Sequence, residues 1–365
     1  MSDKMNNPPS HYDILIVGAG PAGANLARLI DTDKFSVAVI DGSLGKEKVC
    51  GGLISPDAQN VLARYNISLP RDVLVSPQLF SVRTIDLSDG MTRYYRRNYL
   101  NADRTALDEF FRSLIPEGVS VIKSRCEGIS RKNGGYELCL SGGRAITCTF
   151  LVGADGASSV VRREIFKDKR IKKYLAIQQW FDAKELNPNY SCIFDNETST
   201  GCSWMFFKDG QMIFGGAFDK DNGREAFELQ KKKLLGLRAV PSGAFDNPKK
   251  TEACLVCRPK FNKGIFCGDH LAFLVGEAAG FISPSSFEGI SYALESSEAL
   301  ADSFNRYTEF SDVIRSYKRR TSRLALKIKI KCLKRPFMYN RILRRCVMKS
   351  GITAIKLKKE KRNEL

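Results

Sequence analysis

Apolar and polar positions follow two different rhythms along this chain. Near its start, Asp13-Ile14-Leu15-Ile16-Val17 ends at Gly18, and Val37-Ala38-Val39-Ile40 ends at Asp41. Short continuous apolar runs bounded by turn residues predict buried strands. Phe150-Leu151-Val152 and Leu271 to Val275 read the same way, each entering a small-residue turn and then a helix, the second helix starting at about Gly289. A helix at Leu107 to Leu114 and strands near Val119 to Ile122 and Tyr136 to Leu140 complete this first texture. Between about 166 and 268 the rhythm becomes alternating. Ala176 to Phe181, Cys192 to Asp195, Cys202 to Phe207 and Gln211 to Phe218 predict strands of an antiparallel sheet. Lys208-Asp209-Gly210 predicts the hairpin between the last two, because Asp-Gly tolerates positive φ. Beyond residue 310 the period is helical. Leu326, Ile330, Leu333 and Phe337 share one face, Pro336 is expected to kink or end that helix, and Ile342, Leu343, Cys346 and Val347 repeat the pattern.

The turn after the first strand reads Gly18-Ala19-Gly20-Pro21-Ala22-Gly23. A strand feeding such a turn and then a helix is the dinucleotide-binding fingerprint. Gly18 permits the tight turn, Gly20 lets backbone approach a pyrophosphate, and Gly23 lets helix pack on strand. Asp41, at the end of the second strand, is placed to accept hydrogen bonds from an adenosine ribose. Only one fingerprint is present, so a second domain of this type for NAD(P)H is absent. The electron donor is left open between NAD(P)H bound transiently and another reduced carrier.

Two later segments resemble further signatures of flavoproteins built like aromatic hydroxylases. They are Gly153-Ala154-Asp155-Gly156 with the helix after it, and Gly276-Glu277-Ala278-Ala279-Gly280 followed by Gly289-Ile290. The resemblance implies FAD, braced by Asp155 and Gly156 and held along its ribityl chain and pyrophosphate by the last signature. Glu277 stands where that signature usually carries Asp. Cys50-Gly51-Gly52 and the Arg104 segment Ala102 to Asp108 are similar to the geranylgeranyl reductase family, flavoenzymes that saturate isoprenoid double bonds. The likeness runs over most of the chain and is strongest to a bacterial branch, through Pro56-Asp57-Ala58-Gln59, Ala176 to Phe181, Cys192 to Asn196 and the Glu-bearing turn. It implies that Cys50, Gly51 and Arg104 lie by the flavin. The family's Tyr-x-Trp-x-Phe-Pro pattern is only half kept in Cys202 to Phe207, which has Trp204 and Phe206 but neither the Tyr nor the Pro. The implied fold class is α/β: a Rossmann-like FAD-binding domain of the aromatic-hydroxylase type, an antiparallel sheet for substrate, and a basic helical C-terminus. The corresponding spans are 1–165 with a return at 269–310, 166–268, and 311–365.

Candidate chemistry is sparse, as suits a protein whose cofactor supplies the redox step. Cys50 is the most suggestive side chain. Lys46 and Lys48 stand where they would favour its thiolate, and the competing reading is a small residue packed beside a tight turn. Trp180, Phe181, Trp204, Phe206, Phe214 and Phe218 are candidates for an apolar substrate cavity, with Trp180, Trp204 and Phe206 favoured. Alternation sends about half of the six to the opposite face. The 11 cysteines and two histidines argue against a disulfide framework or a zinc site, and Cys254-Leu255-Val256-Cys257 reads as packing.

Charge adds a partner. From Arg315 to Leu365 there are 19 Lys and Arg against two carboxylates, whereas the remaining 314 residues carry 39 basic and 38 acidic side chains. A basic amphipathic segment on a neutral body points to an anionic membrane surface. No recognition motif accompanies the charge to suggest nucleic acid. The early residues lack a signal peptide's apolar core, so a cytoplasmic location, peripheral on the membrane, is expected. The function expected is FAD-dependent reduction of C=C bonds in an isoprenoid or related lipid. The alternatives are a flavin monooxygenase acting on an aromatic or polyketide-like compound, and a flavin-binding regulatory or membrane-associated protein without turnover.

Overall fold

A computed structural model describes residues 10–45, 49–183, 189–198 and 201–356. The apolar runs pair as parallel strands. His11–Val17 lies between Val37–Ile40 and Ala145–Gly153, with Val17 level with Ile40 on one side and Gly153 on the other. Val119–Ile122 extends the sheet beyond Val37–Ile40, and Ala272–Leu274 lies beyond Ala145–Gly153. The chain therefore runs outward in one direction from His11–Val17, then returns to its other side. The ends of Val17 and Gly153 form the point where strand order reverses, the place in such sheets where a ligand crevice opens. Helices Pro21–Leu29 and Ile290–Arg306 pack together there, joined by Asn25, whose amide donates to Leu294 O and Ser297 Oγ.

The alternating runs form a second, nine-stranded sheet, mostly antiparallel, whose middle strands are Lys172–Asp182, Gln211–Phe218, Ser203–Lys208 and Tyr190–Phe194. Asp209 and Gly210 have φ of 45° and 76°, the double positive φ of a two-residue hairpin turn. This sheet also draws Leu79–Asp86 and Met91–Asn101 from the stretch read as the first nucleotide-binding span. The span 1–165 is thus divided between both sheets. Alternation set by the pleat sends Phe181, Phe214 and Phe218 to the back, where they are buried with Phe227 and Phe245 beneath helix Gly223–Gly236. These three candidate cavity residues belong to that core.

Three helices follow: Phe310–Arg320, Ser322–Tyr339 and Arg341–Ser350. Pro336 lies inside the second, which continues through it to Tyr339. Leu324 and Ile328 bury against the parallel-sheet core, while Tyr339 at the far end packs on Phe194 of the second sheet. The last helix is pinned by Arg344, whose guanidinium donates twice to Asp86 at 2.8 Å, both side chains buried. No helix among the described residues is long and apolar enough to cross a membrane.

Candidate functional site

The fingerprint glycines are held by close approach. Gly18 has φ of +105° and donates to Ile40 O at 2.8 Å. A Cβ on Gly23 would lie 1.8 Å from Gly18 O, so only glycine lets the first helix pack here. Gly20 caps that helix, and its first-turn amides, including that of Ala22, face the crevice end without helical acceptors. Asp41 reaches back to this turn, accepting from Ala19 N at 2.6 Å through Oδ2 and from Ser43 N at 2.6 Å through Oδ1. Beside it opens a cavity of about 290 Å³ bounded by Gly18, Asp41, Arg125, Asp155 and Arg163.

The two later signatures converge on the same place. Asp155 Oδ2 accepts from Val160 N at 2.6 Å, but its Oδ1 is buried with no hydrogen-bond partner in the protein. Burial raises the Asp155 carboxyl above its ordinary value, against the hydrogen bonds from Ser159, Val160 and Val161. Gly156, at φ of +68°, sits 3.9 Å from Glu277 Oε2 as judged from the position a Cβ would take. Glu277 Oε1 accepts from Cys257 N at 2.7 Å. Arg162 donates to Ala278 O and so ties the second signature to the third; burial lowers its guanidinium to about 10. Gly289 caps helix Ile290–Arg306, and Ile290 packs into one apolar cluster with Ala24, Ile54, Ala102 and Leu107. The orphaned Asp155 oxygen, the glycine cradle and the capped helix starts at Gly20 and Gly289 fit a dinucleotide with a polyol linker.

Across the crevice, the Cys50 turn rests on the second sheet. A Cβ on Gly51 would lie 2.8 Å from the Phe206 ring, and one on Gly52, at φ of +75°, 2.0 Å from Ala102 O. Phe206, Ile213 and Trp180 form one cross-strand row, and Trp204, Gly215 and Gln178 the next. Trp204 lies flat on Gly215, its indole N–H buried without a partner in the protein. Trp180 Nε1 donates to Glu252 Oε2 at 2.9 Å. Cys202, at the position of the missing Tyr, places its sulfur 3.4 Å from that of Cys192. Cys254 and Cys257 are an odd number of residues apart on one strand and so point to opposite faces. Burial pushes the Cys257 thiol up to about 12.

Of the cations around Cys50, Arg104 is one the resemblance pointed to and Lys208 is one the sequence did not single out. Lys46 and Lys48 lie outside the described residues. Arg104 is buried and bonded to Asp108 at 2.9 Å. Burial opposes its charge, but Asp108 and a hydrogen bond with Cys50 more than offset this, so its pKa is raised. Lys208 donates to Ala102 O at 2.7 Å behind the same turn. Burial lowers its ammonium, against the pull of Asp103 and Cys50. Period-two spacing with Trp204 and Phe206 was the available signal for Lys208. A second cluster also escaped: Tyr99 donates to Glu288 Oε1 at 2.7 Å and Arg97 donates to both Glu288 oxygens at 3.2 Å. Glu288 immediately precedes Gly289, which is the only sequence hint of it.

This two-sheet architecture, with the fingerprint at the switch point and an aromatic platform opposite, is the fold of FAD-dependent reductases and monooxygenases. A geranylgeranyl bacteriochlorophyll reductase-like protein from Thermoplasma acidophilum superposes with a TM-score of 0.76 at 19% identity, covering 94% of this chain and 92% of that one. PqsL of Pseudomonas aeruginosa, a probable FAD-dependent monooxygenase, does so with a TM-score of 0.68 at 17% identity, covering 93% of this chain and all of that one. Residues 13–181 match the family model of lycopene cyclase protein. The chain is 42% identical over 354 residues to protein CbrA of Escherichia coli K12, covering 94% of this chain and 98% of that one. It belongs to the CbrA family.

Proposed function

We propose that this protein is an FAD-dependent oxidoreductase that reduces C=C bonds of an isoprenoid or related lipid while held on an anionic membrane surface. The observation that carries the reading is the Cys50-Gly51-Gly52 turn, set between the buried Arg104 and the row of Phe206, Ile213 and Trp180. FAD, when bound, supplies the two-electron chemistry. Gly18, Gly20, Ala22, Gly23, Asp41, Asp155, Gly156, Glu277, Gly289 and Ile290 are the residues proposed to hold it. Asp155 Oδ1, buried without a partner in the protein, would accept a hydroxyl hydrogen of the cofactor, and the helix start at Gly20 would receive its pyrophosphate.

The protein's own part is to orient an apolar chain and manage one proton. Trp180 and Trp204, both half-buried, offer flat apolar surface that excludes water from the reacting carbons, and Phe206, itself buried with Leu79, Val82, Tyr99 and Ile213, backs them. Cys50 holds a proton at Sγ, within hydrogen-bonding reach of Arg104, and delivers it to the carbon that completes the saturated bond. Asp108 fixes the Arg104 guanidinium, so the thiol meets one fixed donor. Likeness in fold to PqsL supports a second reading, oxygen insertion into an aromatic compound. The two part under anaerobiosis. With reduced flavin and candidate lipids, saturated product should form without oxygen; a product that appears only with oxygen overturns the reductase reading.

The membrane part rests on exposure. Leu326, Ile330, Leu333 and Phe337 are 47–60% exposed, because Leu324 and Ile328 supply the buried face of their helix. Ile342 is 71% exposed among Arg341, Arg345 and Lys349 on the next helix. An apolar stripe flanked by cations suits the boundary between headgroups and acyl chains.

A further inference from the structure

Between helix Ser322–Tyr339, strand Met91–Asn101 and the start of helix Pro56–Arg64 lies a groove of about 590 Å³. Six cations line it: Arg96, Arg97, Arg323, Lys327, Lys331 and Lys334. Asp57 is the one lining carboxylate, shared by Lys327 at 3.0 Å and Lys331 at 3.5 Å, and Arg97 turns away toward Glu288. Arg96, Arg323 and Lys334 have no acidic partner among the described residues. The positive charge in the groove is therefore undercompensated. Lys327 and Lys331 stand over the ring of Tyr292, at 5.5 and 5.3 Å, and the buried Tyr292 hydroxyl has no hydrogen-bond partner in the protein. Burial and the neighbouring cations Lys327 and Arg97 lower the Lys331 ammonium, against the pull of Glu288 and Asp57. Such crowding is relieved by a bound anion.

The wall above these cations is apolar. Leu326 and Ile330 line the groove and also begin the exposed stripe that runs on through Leu333 to Phe337. One ligand satisfies both halves, an anion carrying hydrocarbon chains. We propose that this groove seats the phosphate head group of an anionic membrane lipid, with Leu326 and Ile330 against the first carbons of its chains. The inference rests on the membrane-docking reading but adds a defined headgroup site to a diffuse basic surface.

The test uses the full-length, flavin-loaded protein and two probes. The first is water-soluble dihexanoyl phosphatidic acid, titrated by calorimetry against inorganic phosphate. The second is flotation with vesicles of equal parts phosphatidylglycerol and phosphatidylcholine. Arg323→Gln with Lys334→Gln removes two groove cations. Lys318→Gln with Arg319→Gln removes two exposed cations from the preceding helix as a charge-matched control. The groove variant should bind the short-chain lipid about 30-fold more weakly, and the control should match wild type. Equal losses in both variants, or wild-type binding to inorganic phosphate as tight as to the lipid, overturn the headgroup site. Short-chain lipid binding without flotation keeps the groove and overturns the membrane reading. Flotation without groove-dependent lipid binding does the reverse.

Discussion

Cys50 and Asp155 each have one unusual neighbour relation, and each gives a separable prediction. Cys50 lies within hydrogen-bonding reach of Arg104, so it should govern turnover more than cofactor content. Cys50→Ala and Cys50→Ser should retain FAD in full, measured by absorbance, while product formation slows about 100-fold, the usual scale for loss of a proton donor. Wild-type turnover in both variants would reduce the thiol to packing. Asp155 keeps one buried oxygen unpaired, and burial raises its carboxyl above the ordinary 3.8. In the cofactor-free protein its contribution to stability is full below that ordinary value and is lost as pH rises through the raised one. Asp155→Asn should abolish this decline in apo-protein Tm. It should also weaken FAD by about 10- to 100-fold, because Asn has one neutral acceptor where Val160 N and the cofactor hydroxyl together need two. A fluorescence titration showing unchanged FAD affinity would remove Asp155 from the cofactor site.

At the scale of elements, the last helix is pinned by the buried pair of Arg344 with Asp86, beside the more exposed Arg341 on Asp89. Arg344 and Asp86 are almost fully enclosed, and Arg93 Nε adds a bond to Met348 O at 2.9 Å. Removing one partner leaves the other charge buried, at a cost of about 3–5 kcal/mol. Arg344→Ala should therefore free helix Arg341–Ser350 before the sheets unfold. Limited proteolysis should cut near Asn340 in the variant while near-ultraviolet circular dichroism stays native. The double variant Arg344→Leu, Asp86→Leu should recover most of the resistance, since no charge is left stranded. Simultaneous loss of tertiary signal and protease resistance would mean that this helix is integral to the core.

At the scale of the molecule, the helix Ser322–Tyr339 joins both sheets, through the buried Leu324 and Ile328 at one end and the half-buried Tyr339 at the other, and leaves its apolar stripe outside. The proposed membrane attachment through this segment should be electrostatic as well as apolar. Binding to phosphatidylglycerol vesicles should fall steeply with salt, as exposed charges are screened within about 8 Å at physiological ionic strength. Flotation that is indifferent to salt, or equal on neutral vesicles, counts against it.

Much of the architecture was legible because it depends on local backbone demands. The turn at Gly18 to Gly23 reads from a few adjacent residues, since a positive φ at Gly18 and the packing at Gly23 admit little else. The hairpin at Asp209-Gly210 and the division of the aromatic strands into two faces follow equally from turn chemistry and a period of two. The helical spacing from Leu326 to Phe337 identified a shared face but not its surroundings. Whether that face met the core depended on Leu324 and Ile328 filling the inner side first. The transfer of Leu79–Asp86 and Met91–Asn101 to the second sheet was likewise a matter of long-range pairing, which apolar pattern does not encode.

The sequence by itself determined the parallel sheet, the glycine cradle, the carboxylates at Asp41, Asp155 and Glu277, and the charged tail, because each is written in contiguous residues. Tertiary structure alone decided what those residues meet. Lys208 reaches a turn 157 positions away, and Arg97 pairs with a carboxylate 191 positions away. Six cations from two distant segments line one groove. The reason is physical: backbone conformation is set mainly by neighbours in sequence, whereas the field around a thiol or a phosphate site is set by neighbours in space.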